Sequence, residues 1–269
     1  MYRSILSVAI FVSASASLSA QWLNYPTPGI PRTADGKPNL SAPAPKMPDG
    51  KPDLSGYWAV QRPADRPGRP IYDISTLVEG GVMPLRPEQA ELVAKRAPFD
   101  STLRTTEPKP NCLPLGPVLD TYDGPNKFIQ TPRELIALKE YNKMYREIFL
   151  DGRPLPEVLE PSWDGYSVGH WEGDTLVVQT VGTNDRSWLD IHGHPLSEAA
   201  KITERYRRTD FGHMTLQIVV DDPMFYTKPF TVNMTKVLRA DTEMLEFICA
   251  ENEKDLSRIR KANEAGKNK

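Results

Sequence analysis

The sequence lacks any apolar stretch long enough to cross a bilayer as a helix. The apolar run at residues 5–12 has about 8 residues, whereas a spanning helix needs about 20. A short positive start precedes this run and small residues follow it up to Ala20, which is the order of a secretory signal peptide. We therefore predict that residues 1–20 are a signal peptide and that the protein is exported to the periplasm or the extracellular space, with no integral membrane span.

An excess of charge of either sign is also missing. The chain has 33 basic and 35 acidic residues, and its formal net charge is -2. Nucleic acids and anionic membrane surfaces attract concentrated positive charge, so neither is an expected partner. The sequence has no phosphate-binding loop and no GxGxxG motif, and nucleotide cofactors are therefore not predicted.

Cysteine is scarce as well. The two cysteines are Cys112 and Cys249. In an oxidising compartment such a pair is typical of one disulfide, and we predict that bridge. The alternative is two separate buried thiols. Two cysteines so far apart, without CxxC spacing, do not indicate a metal site.

Proline, by contrast, is abundant near the N-terminus. Residues 21–70 contain a repeat in which DGKPNLS at 35–41 recurs as DGKPDLS at 49–55. Proline donates no backbone hydrogen bond and Asp-Gly favours turns. We therefore predict an extended arm along the domain surface, or partly a flexible leader. The Gly-x-Trp formed by Gly56 and Trp58 is similar to the lipocalin signature at the start of a first strand.

From about residue 127 onward the pattern becomes β. Leu216, Gln217 and Ile218 alternate between apolar and polar side chains, and a period of two with one polar face is typical of antiparallel sheet. Short turn sequences separate such runs, so we predict a mainly β fold, an antiparallel barrel or strongly curved sheet of the lipocalin-like kind. The predicted strands are 127–131, 134–141, 144–150, 166–171, 175–181, 201–209, 213–221, 230–238 and 244–249.

Two peripheral helices complete the predicted fold. Residues 86–97 have proline in the first turn, acidic residues early and basic residues late, as a helix dipole favours. A charged segment at 251–265 is the second predicted helix. Residues 71–269 are then predicted to be one β-rich domain that ends in this helix.

Several longer motifs resemble a broad group of exported bacterial proteins. The resemblance implies export and a β-rich fold, and it implies no established activity. Leu196 stands where members of that group often have a second histidine, which weakens a metal interpretation. The motifs are DGKPDLSGYW at 49–58, DGRPLP at 151–156, GYSVGHWEGDTLVV at 165–178, NDRSWLD at 184–190, GHPLSE at 193–198, TERYRR at 203–208 and DDPMFYTKPF at 221–230.

Most of the polar chemistry lies on one loop, residues 183–198. Asp185, Arg186 and His194 are candidate catalytic residues, because a histidine oriented by a carboxylate moves protons near neutral pH and an arginine holds an anion. The alternative is structural, with Asp185 in a capped turn and Arg186 in an ion pair. The sequence leaves open whether the protein is an enzyme.

The same loop contains a His-x-His pair, His192 and His194. Zinc needs three or four nitrogen, oxygen or sulfur ligands, so the pair is a candidate metal site. Gly193 and Pro195 make the segment a loop, and the alternative is that both imidazoles bind the backbone. No other cofactor is predicted.

Aromatic and charged side chains around this loop are candidates for ligand binding. Aromatic residues at a barrel mouth commonly line a small-molecule pocket, although they also fill cores. The leading interpretation is a protein that binds a small, partly apolar ligand in a lipocalin-like cavity. The alternatives are an acid–base enzyme, metal-assisted or not, and an envelope interaction protein that uses the arm. The oligomeric state is left open. The candidate ligand-binding residues are Trp163, Tyr166, His170, Trp188, Glu204 and Arg205.

Overall fold

The computed structural model describes residues 25–61, 73–96, 107–157 and 160–251. In this part of the chain nine strands form one closed barrel in sequence order, and the last strand pairs with the first. The predicted β-barrel is therefore confirmed. The strands are β1 Gly56–Val60, β2 Asn126–Gln130, β3 Glu134–Lys139, β4 Tyr145–Phe149, β5 Tyr166–Glu172, β6 Thr175–Val181, β7 Lys201–Arg208, β8 His213–Asp221 and β9 Phe230–Leu238.

One predicted strand is wrong. Residues 244–249 form no strand, only an isolated bridge between Phe247 and Tyr141. Two of their backbone N–H groups bind side chains: Leu245 N donates to a Glu140 carboxylate oxygen at 3.2 Å and Cys249 N to Asn142 Oδ1 at 2.9 Å. The segment ends in a short 3-10 turn, Cys249–Glu251. The ninth place in the barrel belongs to β1, directly after the proline-rich arm.

The barrel has one weak seam, between β4 and β5. These two strands run parallel and share a single register pair, Phe149 and Val168. A parallel pair needs a long connection, which residues 150–165 supply. The other neighbouring pairs in the closed barrel are antiparallel.

Two α-helices accompany the barrel in the described ranges. Helix α1, Pro87–Arg96, confirms the predicted helix at 86–97. Helix α2, Gly116–Asp123, was not predicted, and it is buried at every position from Gly116 to Tyr122. The predicted helix at 251–265 lies beyond the described residues, apart from its first position.

The barrel interior is packed with side chains. Trp58 and Tyr206 point inward and are fully buried. Helix α2 contacts the interior as well, since Thr121 O accepts a 2.7 Å hydrogen bond from the inward-facing Lys236. Polar groups inside are paired, with Arg146 Nη2 at 2.5 Å from Glu204 Oε2. The interior position that the sequence suggests for a ligand cavity is therefore occupied by core residues.

The two DGKP repeats of the arm fold alike. Gly36 N donates to Thr33 O, and fourteen positions later Gly50 N donates to Met47 O, each at 2.9 Å. Both glycines have positive φ, 81° and 82°, which the tight turn requires. The arm lies on one end of the barrel, where Gly212 N donates to Leu40 O at 2.7 Å. The predicted signal peptide lies outside the described residues.

The predicted disulfide is confirmed between Cys112 and Cys249, whose Cα atoms are 5.4 Å apart. It joins the segment that leads into α2 to the segment that follows β9. Within the described ranges, no helix has both the length and the apolar character needed to cross a membrane.

Candidate functional site

The polar loop 183–198 is held rigidly against the barrel. Asn184 N donates to Ser162 O at 2.8 Å, and Thr183 Oγ1 donates to Ser197 O at 3.2 Å across the base of the loop. Ser197 in turn donates from its backbone N and its hydroxyl to the Asp222 carboxylate, at 2.8 and 2.7 Å. A loop anchored at both ends by buried bonds can hold side chains in fixed positions.

A cleft of about 450 Å³ opens beside this loop. We call it the tryptophan cleft. Its volume lies within the usual range for small-molecule sites, about 300–1,000 Å³. The lining residues are Arg96, Asn111, Leu113, Trp163, Asp185, Arg186 and Trp188.

Two arginine–tryptophan pairs dominate the tryptophan cleft. The guanidinium carbon of Arg186 lies 4.7 Å from the ring centre of Trp163, and that of Arg96 lies 4.8 Å from the ring centre of Trp188. Such cation–π contacts fix the guanidinium plane while leaving its edge for other partners. The cleft therefore presents two flat cationic groups at set positions.

Glycine allows α1 to place Arg96 in the cleft. Arg96 Nη1 donates to Gly193 O at 3.1 Å. Gly193 has φ of 91°, and a Cβ there would lie 2.7 Å from Arg96 Cδ, so a side chain would displace the arginine. Burial lowers the pKa of Arg96, which remains a cation at neutral pH.

Among the described residues, the lining of the tryptophan cleft has more cationic than anionic side chains. Its charged side chains are Arg96, Arg186 and the single carboxylate of Asp185. Asp185 and Arg186 are exposed, whereas Trp188 is buried. The described part of the cleft therefore combines a buried indole with exposed charged side chains.

His194 has a different carboxylate partner from the one proposed from the sequence. Its Nδ1 lies 2.6 Å from Asp190 Oδ2, and Asp190 also accepts from Ile74 N at 2.9 Å and from His194 N at 3.1 Å. An ionised carboxylate only accepts, so Nδ1 is the donor in this contact. Asp185 lines the tryptophan cleft, and His194 is not among the residues that line it.

The His-x-His pair divides between two carboxylates. His192 Nδ1 lies 3.6 Å from Asp73 Oδ2, and His194 faces Asp190. Asp73, Asp190 and His194 bring one potential ligand atom each to within 4.8 Å of one another. Because Asp190 already accepts three N–H donors, this cluster is satisfied without an ion, and the metal site stays a prediction.

The remaining predicted ligand-binding residues are dispersed. His170 Nε2 lies 3.3 Å from Glu172 Oε1 on the outer face of the barrel, and Arg205 bonds the same Glu172. The Tyr166 hydroxyl accepts from Arg153 at 3.2 Å, and Glu204 lies inside the barrel. Of the six predicted residues, only Trp163 and Trp188 line the tryptophan cleft.

Ser167 occupies the centre of a GxSxG pattern, Gly165 to Gly169, that in some hydrolases marks a nucleophile on a strand-to-helix turn. Here the pattern runs along β5 and Ser167 faces the interior. Its Oγ accepts from Arg146 Nε at 3.1 Å and lies 3.0 Å from Thr180 Oγ1. Ser167 is therefore part of the buried network and has the wrong setting for an exposed nucleophile.

The sequence analysis singled out Glu204 and did not predict the other charged groups inside the barrel. Lys139 lies 2.6 Å from Asp120 and 2.5 Å from Asp164, and Lys236 donates to Asn126 Oδ1 at 2.9 Å. Burial lowers the pKa of Lys236 to about 7, and the charges of Glu204 and Asp120 offset this only in part. Their inward-facing positions on β3 and β9 were the available signal.

The chain matches no known protein-family model, no curated protein and no solved structure.

Proposed function

We propose that this protein binds a small anion with a planar, partly apolar body in the tryptophan cleft. The observation that carries the proposal is the pairing of Arg186 with Trp163 and of Arg96 with Trp188 around one cleft. A carboxylate is the simplest anion with the fork geometry that a guanidinium recognises.

The side chains of the cleft support this choice of ligand. Indole rings offer flat apolar area for stacking, and each already has a cation at its face. The Asn111 side chain lines the same cleft, and an amide can donate to or accept from a polar substituent. An anionic group suits the exposed guanidinium of Arg186 better than a neutral group does.

We further propose that this binding takes place outside the cytoplasm. Disulfides such as Cys112–Cys249 persist in oxidising compartments. The signal-peptide pattern of residues 1–20 and the resemblance to exported bacterial proteins agree with that location. The ligand would then be a molecule of the periplasm or the surroundings of the cell.

A titration with benzoate and its neutral amide, benzamide, tests the proposal. We expect saturable quenching of tryptophan fluorescence and binding heat with benzoate, and at least tenfold weaker binding of benzamide. A hydrogen-bonded charge contributes about 1.5–3 kcal/mol, so Arg186→Gln is expected to weaken benzoate binding about 10- to 100-fold.

Arg205→Gln and Trp171→Phe are the matched controls, since both positions lie on the barrel wall away from the cleft. Equal binding of benzoate and benzamide, or equal loss in Arg186→Gln and Arg205→Gln, would overturn the proposal. If the wild type converts a bound probe chemically and His194→Gln does not, the acid–base enzyme replaces the binding protein as the better interpretation.

A further inference from the structure

A second cleft, of about 430 Å³, lies between the arm and the end of the barrel. We call it the arm cleft. The apolar part of its wall includes Ile30 from the arm and Leu238 from β9. It also includes Phe211, which precedes β8, and Met244, which follows β9. None of these residues belongs to the tryptophan cleft.

Arg208 is the distinctive residue of the arm cleft. It lines the cleft yet is only 5% exposed, and its guanidinium is stacked between Trp58 and Phe211, at 4.9 and 5.0 Å from the ring centres. In the described part of the chain no carboxylate lies within ion-pair distance of it. Buried cations are normally paired.

Backbone carbonyls take the place of a counterion. Arg208 donates from Nε to Asp210 O at 3.2 Å, from Nη1 to Asp53 O at 2.5 Å and Ser55 O at 3.3 Å, and from Nη2 to Phe211 O. A guanidinium has five N–H groups, so one of them has no acceptor among the described residues. Burial lowers the pKa of Arg208 to about 10, and the charges of Asp53 and Asp210, which lie beyond ion-pair distance, offset this only in part.

The carbonyls that hold Arg208 come from two separate segments. Asp53 and Ser55 belong to the arm, and Asp210 and Phe211 belong to the turn between β7 and β8. The guanidinium is therefore held in place in the unliganded protein. Ligand binding then does not have to include the entropy cost of ordering this side chain. A fixed cation at the base of an apolar cleft suits a ligand with an anionic head and an apolar chain.

We infer that the arm cleft binds a small amphipathic carboxylate, with its head on Arg208 and its chain against Ile30, Leu238 and Met244. This site is separate from the tryptophan cleft and does not depend on the function proposed above. The other charged residues that line the cleft are two cations, Lys127 and Arg239, and two anions, Asp53 and Glu243. Their charges balance, so the buried Arg208 favours a ligand with negative charge.

Calorimetric titration with octanoate, and with 1-octanol as its neutral counterpart, tests the inference. Octanoate is expected to bind the wild type with one site, and 1-octanol at least tenfold more weakly. Met244→Glu places a negative charge in the cleft without touching the bonds of Arg208 and is expected to abolish octanoate binding. Met224→Glu is the control, because Met224 is 60% exposed and lies outside the cleft.

Benzoate binding separates this inference from the proposed function. Met244→Glu is expected to bind benzoate as the wild type does, whereas Arg186→Gln is expected to bind octanoate normally. Undiminished octanoate binding in Met244→Glu, equal affinity for 1-octanol, or the absence of a saturable site would overturn the inference. Because Arg208→Gln risks detaching the arm, it serves only as a supporting variant whose circular dichroism is first compared with the wild type.

Discussion

At the scale of single residues, the unusual feature is the number of charges inside the barrel. Arg146 faces Glu204, and Lys139 faces Asp120 and Asp164, so these cations have direct carboxylate partners. Lys236 is fully buried with only neutral acceptors, Thr121 O and Asn126 Oδ1. Its ammonium form therefore has a desolvation cost that contacts do not offset.

This predicts a pH dependence of stability that Lys236→Met removes. The pKa of Lys236 falls from 10.5 to about 7 in the folded chain, so the unfolded chain binds more protons between these two values. Stability then rises with pH across the window. Chemical denaturation from pH 7 to pH 9 is expected to show the wild type gaining on Lys236→Met by up to about 1.4 kcal/mol per pH unit.

The comparison with Lys236→Met cancels the titration of groups that do not interact with Lys236. Measurements stop at pH 9 because burial raises the pKa of Tyr206 and Tyr226 well above the usual value, and unfolded tyrosines ionise near pH 10. A difference between the two proteins that stays constant with pH would show that Lys236 does not change protonation there.

Sequence reasoning found part of the tryptophan cleft. Trp163, Asp185, Arg186 and Trp188 lie close together in the chain, and their residue types on a loop favour binding. The remaining lining residues, Arg96, Asn111 and Leu113, come from segments distant in sequence. The fold brings them to the cleft, and the periodicity of hydrophobic residues does not predict this proximity. The contact of His194 with Asp190 depends on loop geometry in the same way, since sequence proximity alone does not separate Asp190 from Asp185.

At the scale of elements, strand alternation was the strongest sequence signal. The limits predicted for β6, β8 and β9 match the structure, because inward and outward positions differ in polarity along these strands. Helix α2 escaped prediction because it has 8 residues and nearly all of them are buried, which leaves no polar face to give a helical period. The sequence predicts a strand at 244–249. In the fold, however, two backbone N–H groups of this segment donate to the side chains of Glu140 and Asn142.

The seam between β4 and β5 predicts a specific weakness. Arg146 on β4 bonds Ser167 on β5, Thr180 on β6 and Glu204 on β7, so one side chain spans the place where the backbone ladder has a single pair. Arg146→Met leaves Glu204 buried without its cation and is expected to destabilise the fold by about 3–5 kcal/mol, as measured by urea denaturation.

Arg205→Gln is the control for the seam, because Arg205 neighbours Glu204 but pairs with Glu172 on the exposed face. Its unfolding midpoint is expected to stay close to that of the wild type. Amide hydrogen exchange in β4 and β5 is expected to rise in Arg146→Met before it rises elsewhere. Uniform exchange, or equal effects of the two substitutions, would argue against a seam held by Arg146.

At the scale of the whole molecule, separate contacts tie the outer segments to the barrel. The arm is joined to the far end of the chain by Arg32, whose guanidinium lies 2.5 Å from Asp241. The disulfide joins two positions with a sequence separation of 137. Both links connect segments distant in sequence, but only the covalent disulfide also restricts the unfolded chain.

Removing the disulfide is therefore expected to cost substantial stability. For a loop of this length the chain-entropy model gives about 4–5 kcal/mol, and Cys112→Ser with Cys249→Ser is expected to lower the unfolding free energy by up to that amount. Unfolding of the wild type in reducing buffer should reproduce the loss, while reductant should leave the double variant unchanged. A double variant as stable as the oxidised wild type would show that the disulfide does not contribute to the free energy of unfolding.

Closure of the barrel by β1 and β9 also bears on the speed of folding. Trp58 lies opposite Leu238, and Val60 lies opposite Lys236. The backbone hydrogen bonds between β1 and β9 can therefore form only after both strands are present. Pairings of such high sequence separation slow folding and leave strand edges open in the meantime. During synthesis, β1 therefore remains without β9 at one edge until Leu238 has emerged.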